Sequence, residues 1–247
     1  MELGLSGKLA VVTGASKGIG AAIVRLLARE GCDVVLAARD GEALGAVAQS
    51  LSAESGRRAH VFAADLSRSE DVDRLAREWG HADILVNNAG AIPGGRLDEI
   101  DEARWRSAWD LKVFGYINLT RAIFRSMAAR GSGVIVNVIG AAAQIKDPSY
   151  ICGVTGNAAL TAFTMSLGSD SHVKGVRVVG VSPGPVATER LLALTETVKS
   201  STARPFGRAA APEEIASAVA FLASPASGYT SGTVLVVDGG ISARAAS

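Results

Sequence analysis

Short apolar runs rich in Val, Ile and Ala recur along the chain, and between them apolar residues return every three or four positions. The runs predict strands over 9–13, 33–38, 59–63, 84–87, 134–139, 176–182 and 234–237. The stretches between them predict helices over 18–29, 42–55, 70–79, 103–130, 151–173 and 212–222. The runs are apolar almost without interruption, as expected of strands covered on both faces in a parallel sheet. Gly31 and Gly131 stand where helices stop, and Pro212 opens a helix in its first turn. Strand–helix alternation implies right-handed crossovers and an α/β fold, a doubly wound parallel sheet of about seven strands with helices on both faces. With no linker, repeat or low-complexity segment, residues 1–247 are expected to form a single domain. The polar, loosely periodic stretch 188–206 is expected to be a substrate lid within it.

Composition narrows the partners. The chain of 247 residues is 48% hydrophobic and 20% charged, ordinary for a globular protein with a sizeable core. Its 25 Lys and Arg nearly balance 24 Asp and Glu, which argues against a nucleic-acid partner. No apolar run is long enough to span a membrane. The start, Met1-Glu2-Leu3-Gly4-Leu5, lacks the basic and apolar regions of a signal peptide, so a cytoplasmic location is expected. Cys32 and Cys152 are too few for a disulfide framework and are expected to be buried thiols. No metal site is expected.

After the first predicted strand comes Thr13-Gly14-Ala15-Ser16-Lys17-Gly18-Ile19-Gly20, followed by an Ala- and Leu-rich helix. Glycines here permit a tight turn, close approach of backbone to a pyrophosphate, and close packing of helix on strand. The helix N-terminus offers unpaired N–H groups and partial positive charge to the phosphates. The strand–turn–helix context is the one that a dinucleotide site requires.

This turn resembles that of the short-chain dehydrogenase/reductase family. Asp65-Leu66 after the third strand, Asn87-Asn88-Ala89-Gly90 after the fourth, Pro183-Gly184-Pro185-Val186-Ala187-Thr188 after the sixth, and Ser231-Gly232 through Val237-Asp238-Gly239-Gly240 are similar to its other motifs, in order, over essentially the whole chain. The resemblance implies a dinucleotide cofactor: Gly14, Ser16, Lys17, Gly18, Ile19 and Gly20 at the pyrophosphate, Asp65 and Leu66 beside the adenine, Asn88, Ala89 and Gly90 along the ribose. Pro183, Gly184, Val186 and Thr188 would meet the nicotinamide end. Asp65 is also readable as a turn cap, and Asn87-Asn88 as a brace between strands. The second strand ends Ala37-Ala38-Arg39, with no carboxylate at Ala38 to accept from a ribose 2′-hydroxyl. Arg39 and Lys17 suit a 2′-phosphate, so NADP is expected rather than NAD.

The family's catalytic residues are an Asn, a Ser, and a Tyr followed by Lys four positions on. Its Tyr exchanges the proton of the substrate hydroxyl, the Lys lowers that phenol's pKa, and the Ser holds the substrate oxygen. Alignment through Val134–Ile139 and Ala158–Thr164 puts the Ser at Gly140, the Tyr at Gly153 and the Lys at Asn157. Thirteen residues separate Gly140 from Gly153, the family's usual spacing, so no gap is needed. Alignment through Trp105 and Gly115 puts the Asn at Lys112. The resemblance implies that cation and amide have traded places across the site. Tyr150, one helical turn before Gly153, reads either as packing at a helix start or as a replacement phenol, and Lys112 either as an active-site cation or as one reaching solvent at an interface.

The expectation is an NADP-dependent oxidoreductase with a rearranged active site (Lys112, Tyr150, Asn157), acting on a small carbonyl or alcohol. The alternative is a non-catalytic NADP(H)-binding sensor or scaffold. A lyase or dehydratase runs against the pattern, because the glycine turn is intact while the usual catalytic residues are gone. The resemblance also implies a homodimer or homotetramer.

Overall fold

The computed structural model describes residues 2–189, 191 and 205–245. Seven strands, β1 (Leu9–Thr13), β2 (Asp33–Ala38), β3 (Ala59–Ala63), β4 (Ile84–Asn87), β5 (Gly133–Val138), β6 (Val176–Pro183) and β7 (Val234–Val237), form one sheet. Their order is β3-β2-β1-β4-β5-β6-β7 and every pairing is parallel. The chain winds outward from β1 in both directions, with Val11 paired to Val35 on one side and Leu85 on the other. A crevice opens at the C-terminal ends of the strands where the winding reverses, the usual ligand position in an open parallel sheet.

The near-continuous apolar runs are explained by burial on both faces. Val12, Leu36, Val86 and Val136 face a layer containing Ile23 and Leu27 of α1 (Gly18–Arg29), Leu44 of α2 (Gly41–Ser55) and Val219 of α8 (Pro212–Ala223). Their neighbours Val11, Val35, Leu85 and Ile135 face Leu75 of α3 (Ser69–Trp79) and Leu119, Ile123 and Met127 of α5 (Gly115–Arg130). Fully burying one such side chain contributes about 1.5–3 kcal/mol, so the central strands hold the layers together. The edges differ: Val61 on β3 and Leu235 and Val236 on β7 are partly solvent-exposed. Arg177 on β6 donates to the carbonyls of Leu222 and Ser224, groups at the end of α8 that have no helical partner, and to that of Thr230 further on.

Several boundaries depart from expectation, most of them by a single residue. The stretch 103–130 is α4 (Glu102–Trp109), a π-helical segment Asp110–Phe114, then α5. A π segment adds a residue without interrupting the helix, so apolar periodicity over so few residues does not reveal it. The stretch 151–173 is α7 (Ile151–Asp170) closed by a tighter turn, Ser171–Lys174, that Gly175 ends in the left-handed region. β5 lies one residue earlier than its apolar run, and the chain leaves it through Gly140 at φ +133°. The short helices α6 (Ala142–Ile145) and α9 (Ile241–Ala245) have too few turns for periodicity to mark. Most of the expected lid, 188–206, lies outside the described residues. Among the described residues no helix is long and apolar enough to cross a membrane.

Both cysteines are free and buried, as expected. Burial pushes the Cys32 thiol up to about 12 and raises that of Cys152 as well. Because the thiolate is the reactive form, neither thiol should react with iodoacetamide at pH 8 in the native protein, and both should in denaturant; peptide mass mapping reads the difference.

Candidate active site

The turn between β1 and α1 depends on close backbone approach. Gly14 (φ +66°) and Gly18 (φ +55°) take left-handed conformations. At Gly20 a Cβ would lie 2.1 Å from the Gly14 carbonyl oxygen and 2.7 Å from Asn88 Nδ2. Asn88 fastens this turn to the end of β4: its Nδ2 donates to Thr13 O (3.0 Å) and Gly14 O (3.3 Å). Thr13 Oγ1 in return accepts from the Asn88 and Ala89 backbone N–H groups (2.9 and 3.0 Å). No side chain caps the N-terminus of α1 and no acidic residue lies in its first turn, so its N–H groups and partial positive charge face the crevice beside Ser16, Lys17 and Ile19. This side-chain-free cradle fits a dinucleotide pyrophosphate.

Toward the adenine end, β2 stops at Ala38, and Arg39 projects into solvent. The nearest carboxylate in sequence, Asp40, accepts from Ala43 N and caps α2. Asp65 Oδ1 accepts from Ser67 N and Oγ (3.1 and 2.8 Å), holding the turn after β3, and Leu66 is buried behind it. Lys17 Nζ pairs with Glu189 Oε2 at 2.8 Å, a contact that the sequence did not single out. Lys17 holds the Glu189 carboxyl below the usual range. Thr188, following Pro183, Gly184 and buried Val186, comes back over the phosphate turn, with Cγ2 at 3.2 Å from where a Cβ on Gly18 would be.

At the other end of the crevice lie Lys112, Gly140, Gly153 and Asn157. The side chain of Lys112, from the π segment, crosses Gly90, where a Cβ would lie 2.8 Å from its Cδ. Its Nζ donates to Ile139 O (2.8 Å) and Val138 O (3.3 Å) at the end of β5 and sits 5.5 Å from the centre of the Tyr116 ring. Gly153 has no room for a side chain: a Cβ there would lie 2.0 Å from Tyr150 Cε1 and 2.3 Å from Cζ. The Tyr150 ring thus fills the space in which a side chain at 153 would begin, and it also borders the apolar cluster of Ile92, Ile100, Ala108 and Cys152. A Cβ on Gly140 would lie 2.8 Å from Asn157 Nδ2. Asn157 is 4% exposed, and its Oδ1 is buried without a hydrogen-bond partner.

Beneath these groups runs a buried polar chain that sequence reasoning read only in part. Asn87 Nδ2 donates to Thr120 Oγ1 (3.0 Å) and Asn137 Oδ1 (2.9 Å), and Asn137 Nδ2 donates to Thr164 Oγ1 (2.9 Å). It locks β4 and β5 to α5 and α7, with Asn87 as the strand brace. Asn137, a polar residue inside an apolar strand run, was the available signal for the rest.

A doubly wound sheet with a glycine-lined phosphate cradle at its switch point defines a dinucleotide-binding α/β protein. Residues 14–242 match the family described as enoyl-(acyl carrier protein) reductase. The chain is 40% identical over 246 residues to the cis-4-hydroxycyclohexanecarboxylate dehydrogenase of Sinomonas cyclohexanicum, covering 96% of this chain and 97% of that one. It is 36% identical over 244 residues to the acetoacetyl-CoA reductase of Allochromatium vinosum, covering 95% and 98%. The solved structure of L-sorbose reductase from Gluconobacter frateurii, complexed with NADPH and L-sorbose, superposes with a TM-score of 0.91 at 33% identity over 98% of each chain. The chain belongs to the short-chain dehydrogenase/reductase family, and with it to the NAD(P)-dependent oxidoreductases that act on alcohols and ketones.

The cradle leads to a direct expectation. Gly20→Ala puts a methyl group against the Gly14 carbonyl and Asn88, so it should destabilise the fold by about 1–3 kcal/mol in chemical denaturation and weaken NADPH binding at least tenfold by fluorescence titration (about 1.4 kcal/mol).

Proposed function

We propose that this chain is an NADP(H)-dependent ketone reductase/alcohol dehydrogenase whose active site is rebuilt from Lys112, Tyr150 and Asn157. The observation that carries this reading is the Tyr150 ring over Gly153, which returns an aromatic side chain to the space next to the family's Tyr position. When bound, NADPH supplies the hydride and leaves as NADP⁺. Tyr150 Oη gives a proton to the substrate oxygen as the carbonyl is reduced and regains one from solvent; oxidation of the alcohol runs the same transfer in reverse. Lys112, anchored on the Ile139 and Val138 carbonyls, brings positive charge to the site beside Tyr150 and Asn157, favouring the developing oxyanion.

NADP is favoured over NAD by Lys17 and Arg39 and by the lack of a carboxylate at Ala38, and the superposable L-sorbose reductase holds NADPH. A secondary alcohol or ketone on a small ring or polyol accords with the substrates named for the relatives. The same reading makes 1–247 one catalytic domain with 188–206 as its lid, working in the cytoplasm as a homodimer or homotetramer. Phe114 and Met165, on the two long helical stretches, are 49% and 48% exposed and suit an interface between copies.

With a ketone that the native chain reduces, Tyr150→Phe should lower kcat by about 10²–10⁴ while leaving the NADPH dissociation constant near native. Lys112→Met should lower kcat/KM at least tenfold, about 1.4 kcal/mol of transition-state stabilisation. Full activity in Tyr150→Phe would remove the phenol from the mechanism. Tight NADPH binding without turnover across a broad panel of ketones and alcohols would leave the sensor or scaffold reading in its place.

A further inference from the structure

We infer that the side-chain amide of Asn157 binds the substrate oxygen, its Nδ2–H donating where a hydroxyl at position 140 would otherwise do so. This rests on the oxidoreductase reading above and assigns the residue a role within it.

Three observations converge. Nδ2 is the amide atom nearest Gly140: a Cβ there would lie 2.8 Å from Nδ2, 3.6 Å from Cγ and 3.8 Å from Oδ1. A side chain at 140 and this amide therefore exclude each other, and with Gly140 at φ +133° the backbone itself is one that residues with a Cβ rarely adopt. Second, the amide is oriented at a cost. Asn157 is almost wholly buried, and Oδ1 faces the interior with no partner, an arrangement that folding alone disfavours and that an apolar side chain would avoid. Such an unpaired buried group calls for an explanation, and a binding role for the rest of the amide is one.

Third, the neighbours are the right ones. Gly153 and Asn157 lie four residues apart in α7, hence on one face of the helix, so the Tyr150 ring over Gly153 and the amide are adjacent along that face. Lys112 Nζ holds the carbonyl of Ile139, the residue immediately before Gly140. The amide nitrogen lies against Gly140 and the ammonium against the carbonyl before it, with the Tyr150 ring one helical turn away along α7.

An amide nitrogen donates but does not accept, which separates the two tasks that a hydroxyl combines. It steadies a carbonyl oxygen or the oxyanion formed from it, and leaves proton exchange to Tyr150. Binding should therefore favour the ketone over the alcohol.

The test uses the full chain with NADPH and a ketone that it reduces. Asn157→Asp keeps the shape and replaces the donor by an acceptor; kcat should fall about 10²–10³-fold, as when one oxyanion donor is removed, while the NADPH dissociation constant stays within about twofold. Asn157→Leu, which removes the unpaired oxygen, should lose the same activity yet melt no lower than the native chain. Retention of kcat within about threefold in Asn157→Asp would overturn the assignment. So would loss of activity explained by lost NADPH binding, or a lower melting temperature for Asn157→Leu, which would make the amide a cofactor contact or a structural brace. Absence of turnover in the native chain with every ketone tried would instead remove the oxidoreductase reading, and this role with it.

Discussion

The fastening of the β1 turn to the end of β4 is the constraint on which the site depends. Asn88 donates to the Thr13 and Gly14 carbonyls while Thr13 Oγ1 accepts from Asn88 and Ala89, so the two strand ends at the switch point move as one piece. That junction places Gly20 against the Gly14 carbonyl, directs the start of α1 into the crevice, and sets Gly90 under the stem of Lys112. The phosphate cradle and the Lys112 side of the crevice therefore share one rigid reference. The buried chain through Asn87, Asn137 and Thr164 carries it onward to α7, where Gly153 and Asn157 reside.

Around Gly140 and Gly153 the governing effect is exclusion of volume. Residues 140 and 153 lack side chains, yet their surroundings are filled: Asn157 reaches over one glycine and Tyr150 over the other. Restoring a side chain at either position would displace the neighbour now there. Positions 140 and 157, and positions 150 and 153, are thus coupled in space.

Much of the fold was legible because the relevant physics is local or periodic. Strand runs such as Val34-Val35-Leu36 must be apolar on both faces when helices cover both, and glycines at 14, 18 and 20 announce a close backbone approach. The π segment was not legible, because one inserted residue leaves apolar spacing nearly intact. Neither was the Lys17–Glu189 pair, whose members stand far apart in the chain. The glycines at 140 and 153 are plain in the sequence, but not what fills the space beside them. Tyr150 read as packing at a helix start sooner than as chemistry, and the place of its ring over Gly153 was not legible, since spacing along a helix does not specify the rotamer that a side chain adopts.

The most direct measurement is a crystal structure of the chain with NADP⁺ and a ketone or its alcohol bound. Tyr150 Oη and Asn157 Nδ2 should both lie within about 3 Å of the substrate oxygen, with the Lys112 ammonium on the same side of the crevice. A substrate oxygen held by other groups, with the Tyr150 ring turned into the cluster around Ile92 and Cys152, would contradict a rebuilt active site.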